Sequence, residues 1–106
     1  MKIALLNTSI LTTYGEYKYS PVSLNEVKNI IHEEEIVLAI GHQSTADVLT
    51  ELLGVEIQMN RIQFEQQANQ KAIVVKLKGR PEEGKILSRE EIESIGYEFG
   101  LLTRIK

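Results

Sequence analysis

The chain contains no cysteine and no tryptophan among its 106 residues. Without cysteine it forms no disulfide, thiolate zinc site or iron–sulfur cluster, and it has no cysteine nucleophile. It also lacks a run of about 20 consecutive apolar residues, so no membrane-spanning helix is predicted. The apolar stretch after Met1 is too short for a signal peptide. We therefore expect a cytosolic protein with no membrane partner.

An excess of positive charge is missing as well. The 12 Lys and Arg residues are outnumbered by 15 Asp and Glu, which gives a net charge of −3 with both histidines neutral. Because binding to duplex DNA depends on many Lys and Arg contacts to phosphates, we expect no extended duplex nucleic acid as a partner. A small, enclosed anionic ligand remains compatible with this balance.

Length and hydrophobic periodicity predict one domain over residues 1–106. The expected class is α/β (α+β), a single compact domain with a mixed five-stranded sheet, about three helices and the order βαβαββαβ. A core of this size is thin, and a partner subunit would extend it. The predicted strands are 3–7, 36–40, 61–65, 72–78 and 97–105, with 61–65 and 72–78 as a hairpin. Residues 12–21 are predicted to be an exposed loop or irregular hairpin, and the helices are predicted to be capped at Ser23, Ser44 and Ser88.

The segment Gly41-His42-Gln43-Ser44-Thr45 lies where a predicted strand ends and a helix begins. Backbone N–H groups and the positive end of the helix dipole meet at such a place and stabilise a bound phosphate. A histidine beside that phosphate is suited to general acid catalysis, because histidine ordinarily titrates near pH 6.5. The alternative is that Ser44 only caps the helix, in a capping box with Asp47, and His42 is a solvated turn residue.

Arg80, Glu83 and Lys85 lie in a charged, glycine-bounded loop directly after a predicted core strand. An arginine there can donate two hydrogen bonds to a phosphate, and a glutamate can orient a reacting group. A solvated charged turn is the alternative, and Arg61 at a strand start is equally ambiguous. No spacing of His, Asp or Glu suggests metal ligands, so we expect neither a metal nor a cofactor. His32, beside three glutamates, is interpreted as a surface residue.

Four segments together resemble the viral ring nuclease family. That family includes type III anti-CRISPR proteins of archaeal viruses and bacteriophages, stand-alone cellular ring nucleases and a bacterial mobile-element branch. The similarity covers nearly the whole chain in order. The segments are Asn7-Thr8-Ser9, Gly41-His42-Gln43-Ser44-Thr45, Asn60-Arg61 and Arg80-Pro81-Glu82-Glu83-Gly84-Lys85-Ile86-Leu87-Ser88.

This resemblance implies a homodimer that binds cyclic tetra-adenylate, the second messenger of type III CRISPR systems. A two-fold dimer suits a ring of four identical nucleotides, because each subunit meets the same phosphate environment. The implied activity is a metal-independent ring nuclease that cleaves the ring to linear di-adenylate with a 2′,3′-cyclic phosphate. The resemblance implies that this reaction switches off the CRISPR ancillary effectors.

The resemblance also assigns residues. His42 becomes the general acid, Arg80 holds the phosphate and Glu83 positions the reacting groups. The implied substrate contacts are Asn7, Ser9, Gly41, Gln43, Ser44, Thr45, Arg61 and Lys85. Two departures from the family pattern are Pro81, where a leucine is usual, and Gln43, where many viral members have aspartate. The alternative function is a non-catalytic, dimeric regulator that binds a nucleotide, DNA or a protein.

Overall fold

A computed structural model describes residues 2–79 and 87–106. The described residues form an α+β domain with a mixed sheet of five strands and three helices, as predicted. The elements in chain order are β1 (Ile3–Leu6), β2 (Tyr17–Val22), α1 (Leu24–Glu33), β3 (Ile36–Ala39), α2 (Gln43–Leu53), β4 (Lys71–Leu77), α3 (Arg89–Ile95) and β5 (Tyr97–Arg104).

The strands lie in the order β2-β5-β4-β1-β3 across the sheet. β1 pairs in parallel with both β3 and β4, whereas β5 pairs antiparallel with β4 and β2. The carboxyl ends of β1, β3 and β4 therefore meet at one edge of the sheet. β1 is completely buried between its two neighbours, as its continuous apolar sequence predicts.

The two faces of the sheet are covered differently. On one face the strand residues Ile3, Leu5, Ile73, Val75 and Phe99 form the main core with buried residues of all three helices. On the other face a smaller cluster contains Ala4, Leu6, Ala72, Val74 and Leu102, with partly buried Phe64 and Tyr17 packed against it. Phe64 belongs to the irregular chain between α2 and β4, which therefore contributes to covering the second face.

Two predictions of secondary structure are wrong, and the observed order is ββαβαβαβ instead of βαβαββαβ. Residues 61–65 form no strand and no hairpin with β4; Phe64 packs on the sheet while Ile62 is 45% exposed. The alternation of apolar and polar residues at 61–65 therefore belongs to a segment that packs Phe64 on a face of the sheet without pairing with a described strand. β2 begins inside the predicted segment 12–21 and ends one residue after it, and Pro21 is tolerated because β2 is an edge strand.

The helix ends follow local sequence with one exception. Ser23 and Ser88 form the predicted capping boxes with Glu26 and Glu91, and Gly54 ends α2 in the left-handed conformation with φ 71°. The capping box predicted for Ser44 is wrong, because α2 begins at Gln43 with His42 as its N-cap. β3, expected to be covered on both faces, is a half-buried edge strand. Among residues 2–79 and 87–106, no helix is long and apolar enough to cross a membrane.

Candidate functional site

A cavity of about 600 Å³ opens at the edge where the parallel strands end. Ligands of open α/β sheets bind in this position, outside the carboxyl ends of parallel strands. Residues from the ends of β1 and β4 and from the start of α2 surround it. The lining residues are Asn7, Thr8, Ser9, His42, Ser44, Thr45, Val75, Lys76, Leu77 and Gly79.

His42 lies at the first turn of α2, which faces this cavity. It is the N-cap residue, with extended φ and ψ of −130° and 130°, and within the described chain its side chain makes no capping hydrogen bond. The first N–H groups of an α-helix have no acceptor inside the helix. The first turn of α2 contains no acidic residue. Its free N–H groups are therefore suited to bind an anion beside the imidazole of His42.

Asn7 and Ser9 reach the same cavity because β1 lies between β3 and β4. Asn7 directly follows the last residue of β1, and His42 follows the end of β3 by three residues. The register pairs Leu6 of β1 with Ala39 of β3 and with Val74 of β4. Parallel pairing therefore brings together side chains that are more than thirty positions apart in the sequence.

The other predicted site residues lie in three different situations. Gln43 is exposed and its side-chain amide donates to the Asp47 carboxylate at 2.9 Å, on the surface of α2. Arg61 donates from Nε to the carbonyl of Gly41 at 3.0 Å, and neither residue lines the cavity. Arg80, Glu83 and Lys85 lie outside the described residues. His32 is exposed near the end of α1, as expected of a surface residue.

Sequence reasoning did not select Thr8 or the carboxyl end of β4 as part of the site. Val75, Lys76, Leu77 and Gly79 all line the cavity. Knowledge of the strand order would have identified them, because β4 is the second parallel neighbour of β1 and its carboxyl end therefore lies beside Asn7. Gly79 is the last described residue before position 80, and it lines the cavity.

Among the described residues that line the cavity, His42 carries an imidazole and Lys76 carries a positive charge. Within residues 2–79 and 87–106, no three His, Asp or Glu side chains are grouped as a metal-ligand set. The arrangement offers backbone donors for an anion, a cation for its charge and an imidazole for proton transfer.

Comparison with known proteins identifies relatives along nearly the whole chain. A family profile described as STIV B116-like matches residues 3–99. YddF of Bacillus subtilis (strain 168) is 39% identical over 107 aligned positions, covering 99% of each chain. ORF117 of Acidianus two-tailed virus is 35% identical over 108 positions, covering 96% of this chain and 92% of the viral protein.

A solved structure has the same fold. B116 of Sulfolobus turreted icosahedral virus superposes with a TM-score of 0.84, covering 98% of this chain and 100% of the viral chain. The two sequences are 23% identical. The likeness therefore concerns the arrangement of strands and helices that brings the cavity residues together.

Proposed function

The chain belongs to the STIV B116-like family, and we propose that it is a metal-independent ring nuclease that cleaves cyclic tetra-adenylate. The observation that carries this proposal is the cavity in which His42 and the start of α2 meet Asn7 and Ser9. These residues come from separate segments that resemble ring nucleases, and the fold brings them to one place. An anionic ligand fits the backbone donors there, and the imidazole supplies the acid that phosphodiester cleavage requires.

The proposed reaction is an intramolecular transesterification. The 2′-oxygen of one ribose attacks the adjacent phosphorus, a new 2′-O–P bond forms, and the P–O5′ bond breaks. His42 donates its proton to the departing 5′-oxygen, while the 2′-hydroxyl proton is lost to a base or to water. Two such cuts in a ring of four nucleotides leave two molecules of di-adenylate, each with a 2′,3′-cyclic phosphate.

Within this proposal the residues divide the work. The first-turn N–H groups beside Ser44 and Thr45 bind the phosphate, because the dipole of α2 favours negative charge there. Asn7 and Ser9 contact the ligand from the end of β1. Arg80 and Glu83 are assigned to holding the phosphate and orienting the reacting groups on the strength of the family resemblance. Cleavage of the ring thereby removes a cytosolic signal of antiviral defence.

A homodimer is part of the same proposal. The cavity opens at the end of the sheet, and a two-fold axis would place two such cavities against the two halves of a symmetric ring. Each subunit would then cleave one of two equivalent phosphodiester bonds. The stoichiometry expected is one ring per dimer, which titration calorimetry measures.

The direct test is incubation of the protein with cyclic tetra-adenylate in excess EDTA, with products identified by mass spectrometry. We expect di-adenylate with a 2′,3′-cyclic phosphate, because no step of the proposed reaction uses a metal. The same incubation with added magnesium is the control and should give the same rate within about twofold. Cleavage only with the metal would contradict metal independence.

An uncleaved ring would leave the alternative function. In that case thermal melting with excess ring distinguishes a binding protein from an unrelated one, since a ligand at 100 times its Kd adds about 2.7 kcal/mol to the free energy of unfolding. A stabilised protein without cleavage would be a non-catalytic regulator. An unchanged melting temperature would overturn both readings in which the cavity binds the ring.

Lys76 provides a second test of the anion site, since it is exposed and lines the cavity. Replacing it with glutamine should raise the Kd for cyclic tetra-adenylate about twofold to fivefold at low salt, the range of an exposed ion pair. The difference should shrink as salt screens the charge. Lys71→Gln makes the same charge change at the other end of β4 and should leave the Kd unchanged. Equal effects of the two variants would exclude a specific role for Lys76.

A further inference from the structure

Asn60 binds the outer edge of β3, the strand that leads into the His42 turn. β3 is the last strand of the sheet, so its outer edge has no neighbouring strand in the described fold. Asn60 donates from its backbone N–H to the carbonyl of Ile40 at 2.8 Å and from its side-chain amide to the carbonyl of Leu38 at 2.7 Å. A single residue thus binds the carbonyl of Leu38 in β3 and that of Ile40, the first residue after the strand.

The next residue continues the contact into the turn itself. Arg61 donates from Nε to the carbonyl of Gly41 at 3.0 Å, and Gly41 is the residue before His42. The carbonyls at positions 38, 40 and 41 are therefore all held by Asn60 and Arg61. These bonds contact the chain where it leaves β3 and turns toward α2.

The same segment is also attached to α2, on the far side of the turn. The hydroxyl of Thr50, in the third turn of α2, accepts from the backbone N–H of Ile57 at 2.9 Å and lies 2.9 Å from the carbonyl of Ala46. The side chain of Ile57 is buried in the main core. Residues 57–61, which we name the brace, thus join the strand before His42 to the helix after it.

We infer that Asn60 is a positioning residue for His42. The inference rests on the proposed function for its effect on catalysis, but its structural part concerns only where the imidazole lies. Within the described chain the imidazole makes no capping hydrogen bond, so its position follows the backbone of the turn. The brace holds the carbonyls of Ile40 and Gly41 in that backbone, and the His42 carbonyl accepts from the backbone N–H of Ala46 at 3.1 Å. Displacing a reacting group by about 1 Å can cost about 100-fold in rate.

Asn60→Asp is the sharpest variant, because it keeps the shape of the side chain and replaces the donor amide with an oxygen that faces the Leu38 carbonyl. Asn60→Ala removes the donor without adding charge and should have the same effect in the same direction. Gln58→Glu is the matched control: it makes the same amide-to-carboxylate change two residues away, at an exposed side chain of the brace.

The first readout needs no substrate. The chain has two histidines, so a spectrum of histidine-labelled protein contains two sets of ring signals, and His32 on α1 serves as an internal reference. We expect both Asn60 variants to shift the His42 ring signals and to leave those of His32 in place. An unmoved His42 signal, or equal movement in the Gln58→Glu control, would overturn the inference.

The second readout is a double-mutant cycle on single-turnover cleavage of cyclic tetra-adenylate. Asn60→Asp should slow cleavage about 10- to 100-fold when His42 is present and less than about twofold in the His42→Ala background. An equal loss in both backgrounds would mean a general structural defect and would overturn the positioning role. If the unmodified protein does not cleave the ring, the proposed function fails. The histidine spectrum still tests whether Asn60 positions the imidazole of His42.

Discussion

Replacing His42 with alanine is expected to slow cleavage of cyclic tetra-adenylate by about 10²- to 10⁴-fold, the usual contribution of a general acid. The imidazole lines the cavity at the first turn of α2, beside the N–H groups that would bind the phosphate. Without it the 5′-oxygen must leave as an unprotonated alkoxide or take a proton from water. The measurement is single-turnover cleavage followed by mass spectrometry or chromatography of the products.

Binding of the ring should survive this substitution. The backbone donors of α2 and the side chains of Asn7 and Ser9 are untouched, so the Kd for cyclic tetra-adenylate should change by less than about fivefold, within the range of one exposed polar contact. His32→Ala is the matched control, because it removes the other, exposed imidazole, and it should leave the rate unchanged. Cleavage at the unmodified rate by His42→Ala would contradict the assigned role.

The second large effect concerns stability and a glutamine. Gln66 is fully buried, with 0% exposure, in the chain that leads back to β4. Its side-chain amide donates to the carbonyls of Gln70 at 2.7 Å and Leu102 at 2.9 Å. Its backbone N–H donates to the Thr12 hydroxyl at 2.7 Å, and its carbonyl accepts from Arg104 at 2.6 Å. One residue thus joins β5, the segment before β2 and the turn before β4.

Gln66→Glu should lower the free energy of unfolding by about 3 kcal/mol or more, because both carbonyls lose the hydrogen bond from Nε2 and a carboxyl is left at a fully buried position without a donor. The Gln70 carbonyl keeps its bond from the backbone N–H of Arg104, at 3.0 Å. An oxygen would take the place of Nε2 and face both carbonyls. Within the described residues the other oxygen, Oε1, has no donor either. For a domain of this size the melting temperature should fall by more than about 10 °C.

The pH dependence of this variant has a definite sign. Burial raises the pKa of the introduced carboxyl above its unfolded value of about 4.3. The variant is therefore least impaired below that pH, and its stability falls relative to the parent as the pH rises and the unfolded chain ionises. Gln63→Glu, at an exposed site three residues earlier, should change stability by less than about 0.5 kcal/mol. Equal unfolding curves for the two variants would contradict the role given to Gln66.

Local sequence predicted those parts of the fold that depend on neighbours in the chain. The boxes at Ser23 and Ser88 are complete within four residues, and Gly54 ends α2 because glycine adopts the left-handed conformation without strain. The box expected at Ser44 failed because α2 starts one residue before it, which allows Gln43 instead to donate to Asp47. A capping pattern predicts that a helix begins nearby, whereas contacts with the rest of the fold determine which residue is the N-cap.

The misplaced strand has a related cause. Alternation at residues 61–65 marks an extended chain with one buried side, and Phe64 is indeed packed on the sheet. Alternation does not say whether the backbone pairs within the sheet or crosses its face. Asn60 and Arg61 donate hydrogen bonds to carbonyls between β3 and His42. The chain then reaches Phe64, which packs on the sheet face opposite the helices. β2 in turn was hidden by Pro21, which an edge strand accepts.

The sequence by itself determined that the chain is an acidic α+β domain, where α1 and α3 begin and where α2 ends. It also supplied the side chains on which the proposed function rests. Only the tertiary structure decided that β1 lies between β3 and β4, which brings Asn7, His42 and Gly79 to one cavity. It also decided that Lys76 belongs there and that Asn60 holds the end of β3. The physical reason is that caps and strand propensities act between near neighbours, whereas strand order depends on how the whole apolar surface is buried.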